Sequence, residues 1–240
     1  MNMKAPKITL LTVLCLFLFT PTMWAADITT ATVQGTSHME VAPDQAIVTL
    51  GIVNTAVSSE AARNSNAAIS AAIQQKLLTL SLTKDQINTS QFIVYPIYNS
   101  DNDKSGKPPV IIGYRITNNI TVTIDNVSLV GNVIDASLLA GANQITNVRF
   151  QKKSDVKLKQ TLLIDAMQDA LSKADAIATA LGKHFKRVVS VNEESIGFQQ
   201  PESPRYNMLL KADASNSNAT SLSPGMIIAN GSLSVVCELQ

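Results

Sequence analysis

The sequence has few of the residues on which catalytic and metal sites usually depend, with two histidines, two cysteines and one tryptophan among 240 residues. Two cysteines cannot form a disulfide scaffold, and together with two histidines they argue against a four-ligand structural zinc site. An excess of one charge is also missing, since 19 basic residues oppose 18 acidic ones. Without a strong field of one sign, neither nucleic acid nor an anionic membrane surface is an expected partner.

Recognised catalytic motifs are missing too, because the chain contains no G-x-S-x-G, Walker A or G-x-G-x-x-G sequence. His38 falls on the polar face of a predicted strand and His184 at a predicted helix end, with no His-x-x-x-His spacing. The run Asp101-x-Asp103-x-Ser105-Gly106 resembles the first half of a calcium loop, but its twelfth position is Ile112 instead of glutamate. We therefore predict no catalytic, metal or cofactor-binding residues, no cofactor and no enzyme activity.

The N-terminus has the pattern of a secretory signal. Lys4 and Lys7 precede an uncharged, mostly apolar stretch over residues 8–19, and Ala25 and Ala26 follow it. Twelve residues are fewer than the roughly 20 that span a bilayer as a helix, so a retained anchor is not expected. We predict that residues 1–26 are a cleaved signal peptide and that residues 27–240 form one exported, periplasmic domain without a transmembrane segment.

Removal of this leader changes the composition of the chain. Seventeen basic residues then oppose 18 acidic ones, because Lys4 and Lys7 are lost, and the net charge becomes −1. Cys15 and Trp24 are lost as well, so Cys237 is the single thiol of the predicted mature chain. No intrachain disulfide can form there.

Hydrophobic periodicity predicts the order ββαββαβαββ. Residues 31–41 and 46–53 alternate as strands around a Pro43–Asp44 turn, which predicts an N-terminal hairpin. The middle of the chain, residues 46–150, follows the βαββαβ order of ferredoxin-like folds. Its strand over residues 112–124 has one apolar and one polar face, which indicates an antiparallel sheet covered on one side. A long third helix over residues 156–181 is expected to pack on one face, which gives an α+β fold.

Two features are candidates for a functional role. Tyr95, Pro96 and Tyr98 precede a polar loop over residues 99–109 and could form an aromatic surface for a partner, although aromatic residues at a strand end often only pack at a rim. Cys237 could be a redox or nucleophilic thiol, but its position on the apolar face of the last strand favours core packing.

A series of short motifs resembles the SIMPL-domain family, which includes periplasmic 26–28 kDa immunogenic proteins. The motifs, in chain order, are Val33-x-Gly35, Pro43-Asp44 with Ala46, Glu60-Ala61, Ile87-x-Thr89, Pro96-x-Tyr98, Gly113-Tyr114 with Asn118 or Asn119, Gly141-Ala142-Asn143 with Phe150, Asp169-Ala170-x-x-Lys173-Ala174, Leu181-Gly182 and Pro224-Gly225. The chain departs from the pattern at Ser37, where a second glycine is expected, and at Ser81-Leu82, where Gly-Ile is expected. These motifs predict scaffold roles, such as close backbone approach at Gly35.

The resemblance implies an exported, non-enzymatic envelope protein. Family analogy also implies a homo-oligomer with a structural or oxidative-stress-related role, and this is our leading hypothesis. A second hypothesis is a ligand- or partner-binding envelope module that uses Tyr95, Tyr98 and the loop that follows them. A third is a thiol-dependent antioxidant that uses Cys237.

Overall fold

A computed structural model describes residues 28–99, 108–199 and 220–240. Its strands are β1 (Thr29–Val41), β2 (Gln45–Ala56), β3 (Ile87–Tyr98), β4 (Ile111–Ile124), β5 (Gln144–Gln151), β6 (Phe185–Gln199) and β7 (Ile227–Leu239). Its α-helices are α1 (Ser59–Leu78), α2 (Val130–Leu139) and α3 (Val156–Ala180), and short 3-10 turns occupy Lys84–Gln86 and Val127–Leu129. The α+β class predicted from the sequence is confirmed.

The middle of the chain forms the predicted ferredoxin-like unit. Four antiparallel strands lie in the order β3-β4-β2-β5. Helix α1 connects β2 to β3, which have β4 between them, and α2 connects β4 to β5, which have β2 between them. Helices α1 and α2 cover one face of this sheet. Below them lies an aliphatic core centred on Val48, Leu50, Ile73, Leu77, Val122 and Val133, all fully buried.

The helix α1 begins with a side-chain cap. The Ser58 hydroxyl accepts a hydrogen bond from the Ala61 amide at 3.2 Å, and Glu60 lies in the first turn, where a negative charge is favourable. The short turn at Lys84–Gln86 is also capped, because the Gln86 side chain accepts a hydrogen bond from the Thr83 amide at 2.9 Å.

The prediction of an N-terminal hairpin is wrong. Strand β1 pairs along its whole length with β7, from Thr29 opposite Leu239 to Val41 opposite Ile227, whereas β2 lies between β4 and β5. Alternation of apolar and polar residues identifies the faces of a strand but carries no information about its partner. The short segment over residues 42–44 connects the two sheets.

The two terminal regions build a second, three-stranded antiparallel sheet in the order β1-β7-β6. The long third helix, α3, packs on one face of this sheet, as predicted, and the two share a separate apolar core. Five residues spaced four apart form the buried stripe of α3: Leu162, Ala166, Ala170, Ala174 and Ala178. Ile177 and Leu181, apolar residues at the C-terminal end of this helix, are exposed instead.

Gly35 on β1 allows this helix to lie unusually close to the sheet. A Cβ atom at this position would be 2.0 Å from the Ala166 carbonyl oxygen and 2.8 Å from the Ala170 Cβ. Close backbone approach, predicted for Gly35 from the sequence, is therefore confirmed. The small side chains on α3 contribute to the same approach.

A polar cluster joins the two sheets where the chain passes between them. The Asp44 carboxylate accepts bonds from the Lys152 ammonium at 2.5 Å and the Lys153 amide at 2.8 Å. Partial burial alone would raise the pKa of Asp44, but these bonds from Lys152 and Lys153 lower it below its ordinary value. The Lys153 ammonium also lies 2.6 Å from Asp125, and this ion pair lowers the pKa of Asp125.

Two predicted regions lie outside the described residues: the signal peptide, and most of the polar loop over residues 99–109 with the calcium-like run Asp101–Gly106. In the part of the chain that is described, no helix is long and apolar enough to cross a bilayer.

Candidate functional site

The free edge of β3 is the most unusual surface of the described molecule. This 12-residue strand lies at the outside of the four-stranded sheet and pairs only with β4 among the described strands. Its sequence, INTSQFIVYPIY, contains no charged residue. An edge strand with unpaired backbone groups and apolar side chains is a template for another strand unless charge, a bulge or a covering element blocks it.

Four large side chains on this strand are about half exposed: Phe92 (49%), Val94 (42%), Tyr95 (52%) and Tyr98 (50%). Helix α1 contacts mainly β2 and β4 and therefore does not cover the outer strand, β3. The result is an apolar edge that no described element of the chain covers.

The register of β3 on β4 assigns these side chains to faces of the sheet. Phe92 and Val94 lie opposite the buried Asn118 and Ile116, and paired residues point to the same side, so both are on the side of the helices. A shallow depression at that side is lined by Phe92 and Val94 together with Ser59, Glu60 and Arg63 from the start of α1.

The two predicted partner-binding tyrosines lie on either side of an irregularity in the strand pairing. Tyr95 lies opposite the exposed Arg115, on the side away from the helices, whereas Tyr98 follows a register shift and pairs with Ile111. Both belong to the outer strand, so a partner that lies along its edge would contact both. Phe92 and Val94 were not predicted from the sequence, although the long uncharged run around them was a readable signal.

The other edges differ from β3. Strand β6 carries Lys186, Arg187, Glu193 and Glu194, and its pairing with β7 shifts register three times. Strand β5 has eight residues, includes Arg149 and has one register shift opposite Thr49 and Leu50 of β2. Charges of this kind discourage further strand pairing, and they distinguish β5 and β6 from β3, which also has two register shifts and Pro96 but no charge. On β1, side chains of α3 bond the outward backbone groups of Gln34 and Thr36.

Cys237 lies in the core of the second sheet and is fully buried. Burial raises the pKa of its thiol, which disfavours the reactive thiolate. This placement agrees with the core-packing interpretation of the sequence.

The histidines are far from one another in the fold. His38 lies on β1 opposite Asn230, while the backbone of His184 pairs with Gln240 at the other end of that sheet, and both side chains are exposed. Within the described ranges, no three His, Cys, Asp or Glu side chains are grouped closely enough to hold a metal ion.

A chain of asparagine amides lies beneath α1. The Asn118 amide donates to Asn66 at 2.8 Å, and the Asn66 amide donates to Asn54 at 2.8 Å. Asn54 in turn donates to the Ala62 carbonyl at 2.8 Å, so the chain links β4, α1 and β2. This explains the polar interruption at Asn118 in an otherwise apolar strand face, which the sequence alone left unexplained.

The Gly141-Ala142-Asn143 motif connects α2 to β5. Gly141 has a φ of +111°, and a Cβ there would be 2.9 Å from the Ile69 side chain. Ala142 is buried, and the Asn143 side chain accepts from the Val53 amide at 2.9 Å and donates to the Val53 carbonyl at 2.6 Å. The Asn143 side chain thus bonds the β2 backbone at Val53, beyond the last residue of β2 that pairs with β5.

These motif positions and the fold agree with a direct comparison, in which the family described as SIMPL, protein of unknown function (DUF541), matches residues 31–237. The chain belongs to the SIMPL family. It is 25% identical over 209 residues to the 26 kDa periplasmic immunogenic protein of Brucella melitensis, covering 87% of this chain and 84% of the relative. It is 28% identical over 182 residues to the uncharacterized protein YggE of Escherichia coli K12, covering 75% and 70%.

Among these SIMPL relatives, the Brucella protein is named as periplasmic, and neither name refers to an enzyme activity. They are consistent with a periplasmic protein.

Proposed function

We propose that this SIMPL protein is an exported, non-enzymatic component of the cell envelope that assembles with copies of itself through the free edge of β3. Residues 1–26 serve as the cleaved signal in this proposal, and the periplasmic name of the Brucella relative supports the location. The observation that carries the assembly is the 12-residue uncharged edge with four exposed large side chains.

A second copy of the chain is the occupant that fits this edge. Antiparallel pairing of β3 with its own counterpart, centred on Val94, places Phe92 opposite Pro96 and Ile93 opposite Tyr95, and no like charges meet because the strand is uncharged. Such pairing also uses the same patch on both partners, which is the arrangement of a two-fold dimer. Larger assemblies then require additional contacts elsewhere.

Light scattering on the mature chain, residues 27–240, tests the proposal. We expect a mass above that of the monomer that persists on dilution into the low micromolar range. Val94→Lys and Tyr95→Lys place a charge on either face of the edge and should each weaken association about tenfold or more, or about 1.4 kcal/mol.

Val191→Lys is the matched control, because Val191 is similarly exposed but lies on β6, in the other sheet. It should leave the mass unchanged. A monomer at every concentration would refute self-assembly, and an unchanged mass in both β3 variants would refute the role of this edge.

The role of such an assembly in the envelope is structural or protective against oxidative stress. Peroxide survival of a deletion strain that carries the wild type, Val94→Lys or Cys237→Ser separates the possibilities. We expect protection to follow assembly and to persist in Cys237→Ser, because the thiol is buried. Loss of protection in Cys237→Ser alone would instead support a thiol-dependent antioxidant.

The exposed tyrosines also favour a second function, binding of a different envelope protein. In that case Tyr95→Ala and Tyr98→Ala would abolish capture of the partner while the mass of the purified protein stayed the same. Unchanged capture would exclude this alternative.

A further inference from the structure

Two side chains of α3 occupy the outward edge of β1. The Thr36 amide donates to Asp169 Oδ2 at 2.8 Å, and the Lys173 ammonium donates to the Gln34 carbonyl at 3.0 Å. The Thr36 hydroxyl lies 3.4 Å from the same carboxylate oxygen, and Asp169 and Lys173 form an ion pair of 2.6 Å. We call this arrangement the β1 clamp.

The geometry of a strand explains what the clamp covers. Backbone groups of residues two apart point to the same side of a strand, and on its other side β1 pairs continuously with β7. The Gln34 carbonyl and the Thr36 amide are therefore an acceptor and a donor that a further strand would need. The clamp supplies both bonds from side chains.

The clamp depends on the close approach of α3. Gly35, between the two clamped residues, has no side chain to hold the helix away, and Ala166 and Ala170 contact it directly. Asp169 and Lys173 are four residues apart on the helix, a spacing that places both on one face above β1. The close approach places both side chains within hydrogen-bond distance of the β1 backbone.

From this geometry we infer that the β1 clamp is a specificity device, which closes a second strand-pairing edge so that copies of the chain join only through β3. The inference rests on the proposed function. If both edges were open, β3 of one copy could pair with β1 of the next, and a contact between two different patches propagates into open filaments unless its rotation closes a ring. With β1 closed, β3 pairs with β3 and the contact ends there.

The test replaces both clamp side chains, as Asp169→Ala with Lys173→Ala. The matched control is Asp165→Ala with Lys157→Ala, exposed positions on the same helix with the same zero change in net charge. Asp169→Asn is the conservative variant, because its amide oxygen still accepts from Thr36. Sedimentation velocity gives the size distribution, circular dichroism checks folding, and hydrogen exchange with mass spectrometry follows the Thr36 amide.

In the wild type we expect slow exchange at Thr36 and an assembly of fixed size. The double clamp variant should exchange Thr36 at least tenfold faster and form species that grow with concentration and time. The control and Asp169→Asn should resemble the wild type.

An unchanged size distribution in a folded clamp variant would overturn the inference, and so would wild-type exchange at Thr36. Failure of the proposed function gives a different result, a wild-type monomer at all concentrations. If that monomer polymerises only when the clamp is removed, the clamp blocks strand pairing through β1 even though β3 does not pair with itself.

Discussion

Gly35→Ala is the most direct test of how the second sheet is built. The added methyl group would be 2.0 Å from the Ala166 carbonyl oxygen, more than 1 Å inside a normal contact. A backbone oxygen cannot rotate away, so α3 must shift or β1 must bend. Overpacking in a core costs about 1–3 kcal/mol, and this site belongs near the upper value because two rigid backbones meet.

Part of that cost is offset in the unfolded chain. Replacing glycine by alanine within a strand stabilises by about 0.5–1 kcal/mol when the site has space. The net loss is then about 2 kcal/mol. With a urea m-value of about 2 kcal/mol/M, the midpoint should fall by about 1 M.

Urea unfolding followed by far-ultraviolet circular dichroism measures the shift, since the predicted mature chain has no tryptophan. Gly197→Ala is the control, because a Cβ at that strand position meets no atom within 4 Å. Its midpoint should be equal or slightly higher than that of the wild type. Equal midpoints for Gly35→Ala and Gly197→Ala would refute the close-packing argument.

Three further predictions concern polar and buried groups. Asn143→Ala removes both hydrogen bonds to Val53 and should lower the free energy of unfolding by about 1–3 kcal/mol in urea titrations, whereas a change below about 0.5 kcal/mol would show that water replaces them. Glu238 pairs with Lys186 at 2.6 Å and with Arg187 at 2.7 Å, and the hydrogen bond from Lys186 lowers its pKa. Glu238→Gln should therefore lower the free energy of unfolding by its full amount at neutral pH. The difference should shrink as the pH falls through the unfolded-state pKa of Glu238 and vanish below its native-state pKa, and a pH-independent difference would contradict this sign. Native Cys237 should react with an aromatic disulfide reagent at least a hundredfold more slowly than in urea, and equal rates would contradict its burial.

The sequence predicted the elements of the fold better than their pairing. Alternation over β4 identified its buried face, and Gly35 and Gly141 occupy the close-packed and positive-φ positions expected of glycine. The sequence did not predict the pairing partner of β1, because its polar-apolar alternation is compatible with pairing to the next strand and equally with pairing to a strand about 200 residues away. The β7 pairing arises from the whole fold and has no local signal.

The candidate site was predicted in part. Tyr95 and Tyr98 were identified as aromatic residues beside a loop, and both are exposed on the outer strand. A register shift between Ile97 and Tyr98 separates the two tyrosines, and spacing along the strand does not reveal it. That β3 is an edge, and that α1 leaves it uncovered, depends on strand order and helix placement, which no single segment encodes.

The difference between the β1 and β3 edges gives a physical role to one family motif, Asp169-Ala170-x-x-Lys173-Ala174. Asp169 and Lys173 could each be an ordinary surface charge on α3, yet they meet backbone groups of β1 that a neighbouring strand would otherwise use. A pair of exposed charges contributes little to stability, typically below 1 kcal/mol. We therefore assign Asp169 and Lys173 the role of blocking further strand pairing at β1. The clamp variant should accordingly change assembly more than it changes the free energy of unfolding.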